Sequence, residues 1–293
     1  MSRETGQPAH SVTWRKEART CPCGKEFEVH IRTLDGKDDY GSLTDCPTCR
    51  EKAQEEKILK DVLGDLPRVQ AEQKEKWEEQ CNLPTLFIGK TFANFDRKLQ
   101  PKAFDVMKKY DGESIVLLSP DLYGVGKTHL LAALINNLIE TGETAKVTRD
   151  GYSIRKYRCP VYFTAENTLL SRIRQTFNRS NQRNDDEFYE ETEEDVYHGL
   201  EKFALLVIDD VGKVRPRDYS FLQSVYFRII DSRYSNEMPI ILTTNLGFTE
   251  LENHIGGAGS DRLREMCGEN FVKMTGKSYR QRESQKPPVN TAL

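Results

Sequence analysis

The stretch Ile115-Val-Leu-Leu-Ser-Pro-Asp-Leu-Tyr-Gly-Val-Gly-Lys-Thr128 decides the fold of this chain. A short apolar strand leads into a loop that ends in Gly-Lys-Thr, and an apolar-periodic helix over 128–140 follows directly. In a phosphate-binding loop, glycines let backbone amides approach phosphate oxygens, the lysine reaches the β and γ phosphates, and the threonine ligates magnesium. The predicted nucleotide-binding residues are Gly124, Val125, Gly126, Lys127, Thr128 and His129.

One position departs from the usual pattern of this loop. Asp121 stands where the motif GxxxxGK[ST] has its first glycine. A carboxylate that faced a triphosphate would be repelled by it. We therefore expect the Asp121 side chain to point away from the nucleotide.

The region around the loop alternates between short apolar runs and helix-like segments, which is typical of an α/β domain. Short continuous apolar runs suit strands that are buried on both faces, so the predicted sheet is parallel and covered by helices. The predicted strands are 114–118, 161–164, 203–208, 240–244 and 270–274, and the predicted helices include 128–140, 165–179 and 219–234.

Two carboxylates, Asp209 and Asp210, end the predicted strand 203–208. The carboxyl edge of a parallel sheet is where ligands bind. Asp209 is predicted to hold magnesium together with Thr128, and Asp210 to orient or deprotonate an attacking water. Because aspartate is one methylene shorter than the commoner glutamate, we expect slow hydrolysis. Asn245 ends another predicted strand, where it either helps to position that water or caps the next turn.

Two close pairs of cysteines lie in the first fifty residues. Thiolates one or two residues apart on tight turns suit a tetrahedral zinc ion, and a segment this short needs a metal in place of a hydrophobic core. We therefore predict a zinc ribbon over 15–50, with four ordinary free thiols as the alternative. The predicted zinc ligands are Cys21, Cys23, Cys46 and Cys49.

Composition limits the classes of protein that fit. Charged side chains make up 30% of the 293 residues, and the formal net charge is -3. This balance excludes a surface that is basic throughout, so nucleic acid would have to be bound by local patches. No apolar run is long enough to span a membrane and no secretory signal is recognisable, so we expect a cytoplasmic protein.

Three segments taken together resemble the AAA+ ATPases of the DnaC/IstB-like group. They are Gly124-Val-Gly-Lys-Thr-His-Leu130, Leu205-Leu-Val-Ile-Asp-Asp-Val-Gly212 and Thr243-Thr-Asn245. The resemblance covers roughly residues 81–282 and implies an ATPase with little or no separate helical lid. It also implies that Arg262 is an arginine finger that reaches the nucleotide of a neighbouring copy, and that Arg280 contacts nucleotide within its own copy. Surface salt bridges are the alternative role for both arginines.

With this resemblance, the predicted organisation has four parts. A zinc ribbon occupies 1–50, a charged helical linker 51–82, the AAA+ ATPase domain 83–280 and a flexible tail 281–293. A zinc-binding domain ahead of the ATPase resembles the DnaI type of helicase loader, in which that domain grips the helicase.

Candidate DNA contacts lie between the phosphate loop and the acidic strand end. The family would place the helix 165–179 near the axis of an oligomer, where basic groups face single-stranded DNA. A solvated helix face is the alternative, and an acidic run over 185–195 follows at once. A basic stretch over 146–158 is a candidate hairpin of open role, with Asp150-Gly151 as its turn. The predicted DNA contacts are Arg172, Arg174 and Arg179.

The resemblance therefore implies an oligomeric AAA+ switch that uses ATP, Mg²⁺ and Zn²⁺ to load a hexameric replicative helicase onto single-stranded DNA. Two alternatives stay open at this stage. One is an IstB-like transposition ATPase that assembles on duplex DNA and recruits a transposase. The other is a DNA-binding adaptor that no longer hydrolyses ATP, with Asp121 and Asp210 as marks of a decayed site.

Overall fold

The computed structural model describes residues 12–34, 37–39, 44–148, 151–179 and 191–279. The chain divides into two compact units, one formed by 1–69 with 146–155 and the other by 70–145 with 156–293. The predicted boundaries at residues 50, 82 and 280 stay a prediction. The predicted tail 281–293 and Arg280 lie outside the described residues.

The described part of the chain contains ten β-strands and eight α-helices. The strands are β1 (Val12–Thr20), β2 (Glu26–Leu34), β3 (Lys37–Asp39), β4 (Ile115–Leu118), β5 (Lys146–Val147), β6 (Ile154–Arg155), β7 (Val161–Ala165), β8 (Leu205–Val211), β9 (Ile240–Thr244) and β10 (Phe271–Lys273). The helices are α1 (Pro47–Gln80), α2 (Pro101–Lys108), α3 (Lys127–Thr141), α4 (Glu166–Arg179), α5 (Glu193–Glu201), α6 (Ser220–Ser235), α7 (Phe248–Ile255) and α8 (Gly257–Cys267).

The first unit contains a small antiparallel sheet. β1 pairs with β2 along its whole length, and β3 pairs with the far end of β2. β2 alternates between exposed and buried positions, and only Val29 and Ile31 of its side chains are fully buried. This alternation is expected for a strand with one face in water. The sheet therefore buries few apolar side chains of its own.

The basic stretch predicted as a hairpin forms the short antiparallel pair of β5 and β6, which belongs to the first unit. Gly151 has a φ of 74° in the connection, a left-handed value that glycine adopts without steric cost. Arg149 and Asp150 lie outside the described residues.

The second unit is built on a five-stranded sheet in the order β10-β4-β9-β8-β7. Every neighbouring pair is parallel. The predicted α/β class with a parallel sheet is thereby confirmed. The order matters for function because β9 lies between the strand that leads into the phosphate loop and the strand that carries the two aspartates.

Helices cover both faces of this sheet. Ile115 and Leu117 of β4 pack in one apolar cluster with α2 and α3, whereas Val116 and Leu118 pack in a second cluster with α4, α6, α7 and α8. Consecutive side chains of a strand point to opposite faces, so an unbroken apolar strand requires a core on each side. No helix of the described part is long and apolar enough to cross a membrane.

β8 is longer than the sequence predicts. The apolar run was expected to end at Ile208, but the strand continues through both aspartates to Val211. Its pairing with β9 shifts by one residue between Ile208 and Val211, which is a β-bulge. Asp210 adopts a φ of 61° in this bulge. Such an irregularity bends the strand, so the chain changes direction at Asp210.

Candidate nucleotide-binding site

The phosphate loop connects β4 to α3 at the carboxyl edge of the sheet. Gly124 and Gly126 have φ values of 71° and 100°, which side chains other than glycine rarely adopt. A Cβ added at Gly126 would lie 2.8 Å from Cε2 of Phe95. The second glycine is thus required both by its backbone conformation and by the ring packed against it.

Asp121 lies in the same loop with a φ of 56°. Aspartate tolerates this left-handed conformation better than most residues do, which explains why it can stand at a glycine position. The Asp121 backbone amide donates a hydrogen bond to the carbonyl oxygen of Asn245 over 3.1 Å. Its side chain is exposed and is not among the residues that line the cavity described below.

The ammonium group of Lys127 is buried at the start of α3. Its Nζ donates to Oδ1 of Asn245 over 2.5 Å and to the hydroxyl of Ser119. A buried charge needs such partners because the interior does not solvate it. Lys127, Ser119 and Asn245 therefore meet at the carboxyl ends of β4 and β9. Two of these three, Lys127 and Asn245, are site residues predicted from the sequence.

Asp209 is 4% exposed and accepts hydrogen bonds from two hydroxyls. Thr128 Oγ1 donates to Oδ2 of Asp209 over 2.9 Å, and Thr243 donates to Oδ1. Burial, and after it the neighbouring charge of Asp210, raises the pKa of the Asp209 carboxyl. Hydroxyl and carboxylate oxygens are the ligand types that Mg²⁺ takes from proteins, so Thr128 and Asp209 fit a magnesium site.

Asp210 is held by a contact that the sequence did not reveal. Its Oδ2 lies 2.5 Å from Nζ of Lys213, three residues later, and its amide donates to Thr243 Oγ1 over 3.0 Å. The ammonium group of Lys213 is more than half exposed, and ion pairs of this kind stabilise by about 0–1 kcal/mol. Asp210 can therefore exchange this partner at small cost.

A cavity of about 300 Å³ is lined by five of these residues, namely Lys127, Thr128, Asp210, Lys213 and Asn245. It is bounded on one side by the phosphate loop and on the other by apolar side chains from the segment before α2. Ligand pockets commonly combine such apolar walls with a few polar groups that fix orientation. Lining residues that were not predicted from the sequence include Leu86, Phe87, Phe95, Tyr123, Lys213 and Tyr279.

His129 links the start of α3 to the segment before α2. Its Nε2 lies 2.9 Å from Oδ1 of Asn94, and its ring meets the ring of Phe95 edge-on at 5.1 Å. Burial lowers the pKa of the His129 imidazole. The side chain thus packs one wall of the cavity against the phosphate loop, in addition to its predicted place in the nucleotide-binding set.

A buried carboxylate, Glu166, holds the loop that follows β8. Its Oε2 accepts hydrogen bonds from the amides of Gly212 and Val214, each over 3.0 Å. Its Oε1 accepts from the hydroxyl of Tyr226 over 2.8 Å and from Nε2 of His254 over 2.6 Å. Burial raises the pKa of the Tyr226 hydroxyl well above its ordinary value, so this group stays a donor.

We expect Glu166→Gln to lower both the free energy of unfolding and the rate of ATP turnover. Each carboxylate oxygen of Glu166 accepts from two donors, so the NH₂ group of glutamine would face two N–H or O–H groups at either position. A buried donor without an acceptor lowers the stability of the fold by about 1–3 kcal/mol. The free energy of unfolding, measured in denaturant, should therefore fall by about 2–6 kcal/mol. ATP turnover should fall more than nucleotide affinity, because Glu166 anchors the loop of Lys213 and does not contact the phosphate loop.

Glu269→Gln is the matched control for this change, since Glu269 is exposed and lies outside the cavity lining. Stability equal to that of the control would contradict the anchoring role of Glu166. If Glu166→Gln lowered nucleotide affinity as much as ATP turnover, the statement that Glu166 acts apart from the phosphate loop would be wrong.

Arg262, the predicted finger, lies on α8 and contacts α6. Its Nε pairs with Oδ1 of Asp231 over 2.9 Å, and its guanidinium lies 4.9 Å from the ring centre of Phe227. It is not among the residues that line the nucleotide cavity of its own chain. Action on a neighbouring copy stays a prediction, and it would require Arg262 to exchange Asp231 for a phosphate group.

The predicted DNA contacts on α4 differ in their surroundings. Arg172 forms a two-point ion pair with Glu191, with Nε to Oε2 at 3.1 Å, and this partner raises the pKa of the guanidinium. Arg174 is exposed, with its guanidinium 5.2 Å from the ring centre of Phe221. The side chain of Arg179 lies outside the described residues. Arg174 is therefore more accessible to a phosphate than Arg172 is.

The four predicted zinc ligands come together in the first unit. Cys21 and Cys23 lie in the turn between β1 and β2, and Cys46 and Cys49 lie at the start of α1. All four sulfur atoms lie within 4.8 Å of one another. The backbone amide of Cys46, and after it that of Cys23, lowers the pKa of Cys21 to about 6. Four converging thiols, one of them acidic, fit a structural zinc site.

A parallel sheet with a phosphate loop on β4, a buried acid on β8 and a polar residue on the strand between them defines a P-loop nucleotide-binding protein. Residues 71–287, well over half of the chain, match the model of the family described as IstB-like ATP binding protein. The chain belongs to this family, which is part of the DnaC/IstB-like group of AAA+ proteins.

Relatives of this chain include proteins named replicative helicase loader DnaC. The one from Escherichia coli K12 is 25% identical over 181 residues, which is 62% of this chain and 62% of that protein. The one from Buchnera aphidicola is 24% identical over 185 residues, 61% of this chain and 65% of that protein. The chain thus spans less than two thirds of the length of these relatives.

Solved structures with a similar fold include a DnaC helicase loader and a DnaI. The DnaC structure has a TM-score of 0.47 and 18% identity, and the match covers 66% of this chain and 100% of that one. The DnaI structure has a TM-score of 0.43 and 18% identity, with 67% and 94% covered. The family assignment rests on the match over 71–287.

Proposed function

We propose that this protein is an ATP-dependent loader of a hexameric replicative helicase. The observation that carries the proposal is the convergence of Lys127, Thr128, Asp209 and Asn245 at one sheet edge, in a family whose named relatives are helicase loaders. The proposed place of action is the cytoplasm.

ATP is the proposed substrate. Lys127 would exchange Ser119 and Asn245 for the β and γ phosphates, and the amides of the glycine loop would donate to the same phosphate oxygens. Magnesium, held by Thr128 and Asp209, would neutralise phosphate charge when bound. Asp210 would leave Lys213 to accept a proton from the attacking water, and Asn245 would orient that water.

Hydrolysis is proposed to depend on assembly into an oligomer. Arg262 would contact the γ phosphate of a neighbouring copy, and Arg280 a phosphate of its own copy. A group supplied by a neighbour links turnover to assembly, because neither copy has a complete site alone. Bound ATP would favour this contact, and hydrolysis would weaken it and release the helicase.

Single-stranded DNA is the second proposed ligand. Arg172, Arg174 and Arg179 share the helix α4, which begins at the anchoring residue Glu166. Phosphate contacts by such a helix make binding sensitive to salt. Glu166 also holds the loop after β8. We therefore propose that DNA bound on α4 influences the position of Asp209 and Asp210 through Glu166.

The zinc ribbon is proposed to be the part that grips the helicase. The domain division into ribbon, linker, ATPase domain and tail is part of this proposal. The family match to IstB-like proteins also supports a second candidate, a transposition ATPase that assembles on duplex DNA and recruits a transposase. A non-hydrolysing adaptor is the third.

The deciding experiment is native mass spectrometry of the full-length protein mixed with the replicative helicase of the same source, with magnesium and a slowly hydrolysed ATP analogue. The loader proposal requires a complex of defined stoichiometry that disappears on removal of residues 1–50. ATP-dependent assemblies on duplex DNA without such a complex would favour the transposition ATPase. A complex formed by a protein that lacks DNA-stimulated turnover would favour the adaptor.

A further inference from the structure

A second cleft, here called the cationic cleft, lies in the unit that carries the nucleotide site but at the opposite edge of the sheet. It has a volume of about 460 Å³ and lies beside the residues that precede β7 and β8. The nucleotide cavity lies at the carboxyl ends of the strands, and the two cavities share no lining residue. The described residues that line the cationic cleft are Glu72, Gln73, Lys76, Trp77, Gln80, Lys156, Tyr157, Arg158, Cys159, Lys202 and Phe203.

Positive charge dominates the rim of this cleft. Four of its lining residues are exposed cations that form no ion pair within the described part of the chain, and Glu72 is the one acidic residue among the lining residues. Unpaired cations that surround a cleft attract a negatively charged ligand. The four cations are Lys76, Lys156, Arg158 and Lys202.

The floor of the cationic cleft is apolar and already ordered. Trp77 is 2% exposed, and its Nε1 donates to the carbonyl of Tyr157 over 3.3 Å. Phe203 packs on the ring of Tyr162 with centres 5.0 Å apart, and its carbonyl accepts from the buried guanidinium of Arg233 over 3.3 Å. A ligand would therefore meet a preformed apolar surface within a positively charged rim.

One polar atom in the cleft wall has no partner. Gln73 is 6% exposed, and its Nε2 donates to the Tyr157 carbonyl over 2.5 Å. Its Oε1 is buried and accepts no hydrogen bond within the described residues. Buried acceptors without donors are rare in folded proteins and are expected where a ligand completes the site. This oxygen is buried, so the wall of the cleft holds an unsatisfied acceptor that a ligand reaches only if the Gln73 side chain turns.

We propose that the cationic cleft binds an acidic peptide segment of a protein partner that carries apolar side chains. Carboxylates would pair with the rim, and apolar side chains would cover the floor. Single-stranded DNA fits less well because it stacks its bases on exposed aromatic faces. Here Trp77 is buried and Phe203 is already packed against Tyr162.

The test uses the full-length chain and its own fluorescence. Trp14 and Trp77 are the two tryptophans of the sequence, and Trp14 lies on β1, outside the cleft. In a Trp14→Phe background, Trp77 therefore reports on the cleft alone. The probe is a synthetic, labelled peptide of the repeat Glu-Glu-Leu-Phe, and the second readout is its fluorescence anisotropy. We expect saturable binding that changes Trp77 emission and weakens with added salt.

Paired substitutions locate the binding site. Lys156→Glu with Lys202→Glu should raise the dissociation constant by at least about tenfold, since two attractive charges become repulsive. Lys109→Glu, an exposed cation outside the cleft, should leave it unchanged. The proposal is overturned by absence of peptide binding, by equal binding to the paired variant, or by an oligo-dT strand that binds the cleft in place of the peptide.

Discussion

Lys127→Ala should abolish detectable ATP turnover and weaken nucleotide binding by at least about thirtyfold. A hydrogen bond to a charged group contributes about 1.5–3 kcal/mol, and the lysine is expected to make more than one to the phosphates. Loss of a preorganised charge that stabilises the transition state costs on the order of a hundredfold to a thousandfold in rate. Fluorescent-nucleotide titration and phosphate-release kinetics measure the two effects separately.

The same substitution has a structural effect within the site. Lys127 is the donor to both Asn245 Oδ1 and Ser119 Oγ. Its removal leaves the Ser119 hydroxyl bonded to the Leu122 carbonyl over 2.8 Å and to Asn245 Oδ1 over 3.2 Å. The rest of α3 packs through apolar residues, and its helix should therefore persist. We expect unchanged helix content by circular dichroism together with lost binding.

Lys213→Ala is the matched control for Lys127→Ala. Lys213 also lines the cavity, but its ammonium is largely exposed and pairs with Asp210. Its removal should leave nucleotide affinity within about threefold of the parent, because exposed ion pairs contribute about 0–1 kcal/mol. Similar losses for the two lysines would contradict the assignment of Lys127 to the phosphates. Full binding by Lys127→Ala would contradict the site as a whole.

Removal of zinc should unfold the small sheet of the first unit. Its fully buried apolar side chains on the sheet are Val29 and Ile31, which is too few for a stable core. Structural zinc contributes apparent binding energies of about 10–16 kcal/mol in zinc-finger peptides, as much as the whole stability of a typical domain. A chelator should therefore abolish protection of the β1 and β2 amides from hydrogen exchange.

Metal analysis and single substitutions test the same site. We expect one zinc ion per chain in the parent protein and a large loss of zinc in Cys46→Ser. Cys267→Ala is the control, because Cys267 is a buried thiol on α8 with its pKa raised by burial to about 12 and it is no predicted ligand. A zinc-free protein that keeps full amide protection in β1 and β2 would refute the zinc site.

Local patterns explain why so much of the fold could be predicted. Each strand of the parallel sheet contains a short apolar run, and β7, β9 and β10 lie within one or two residues of their predicted bounds. The phosphate loop is also local, since its two glycines, lysine and threonine lie within five consecutive residues. The bulge in β8 was not predictable, because it depends on the register with β9.

The candidate site likewise has residues that the sequence predicts and partners that it does not. Because parallel strands end at one edge, the sequence predicted that Asp209 would lie near the loop of Lys127, and it left two roles open for Asn245, at the same site or as a cap of the next turn. It did not predict Ser119 and Thr243 as their hydrogen-bond partners, or the ion pair of Lys213 with Asp210. Hydroxyls and exposed lysines are common along the chain, so their types alone carry no signal.

The amino-acid sequence by itself determined the class of this protein: the nucleotide loop, the parallel sheet, the acidic strand end and the four-cysteine cluster. The tertiary structure alone decided which groups are paired. It places Glu166 under the loop after β8, engages Arg262 with Asp231, and brings Lys76, Arg158 and Lys202 around one cleft. The physical reason is range: backbone periodicity and loop motifs act over a few neighbouring residues, whereas these pairings join side chains far apart in the chain and exist only once the core has formed.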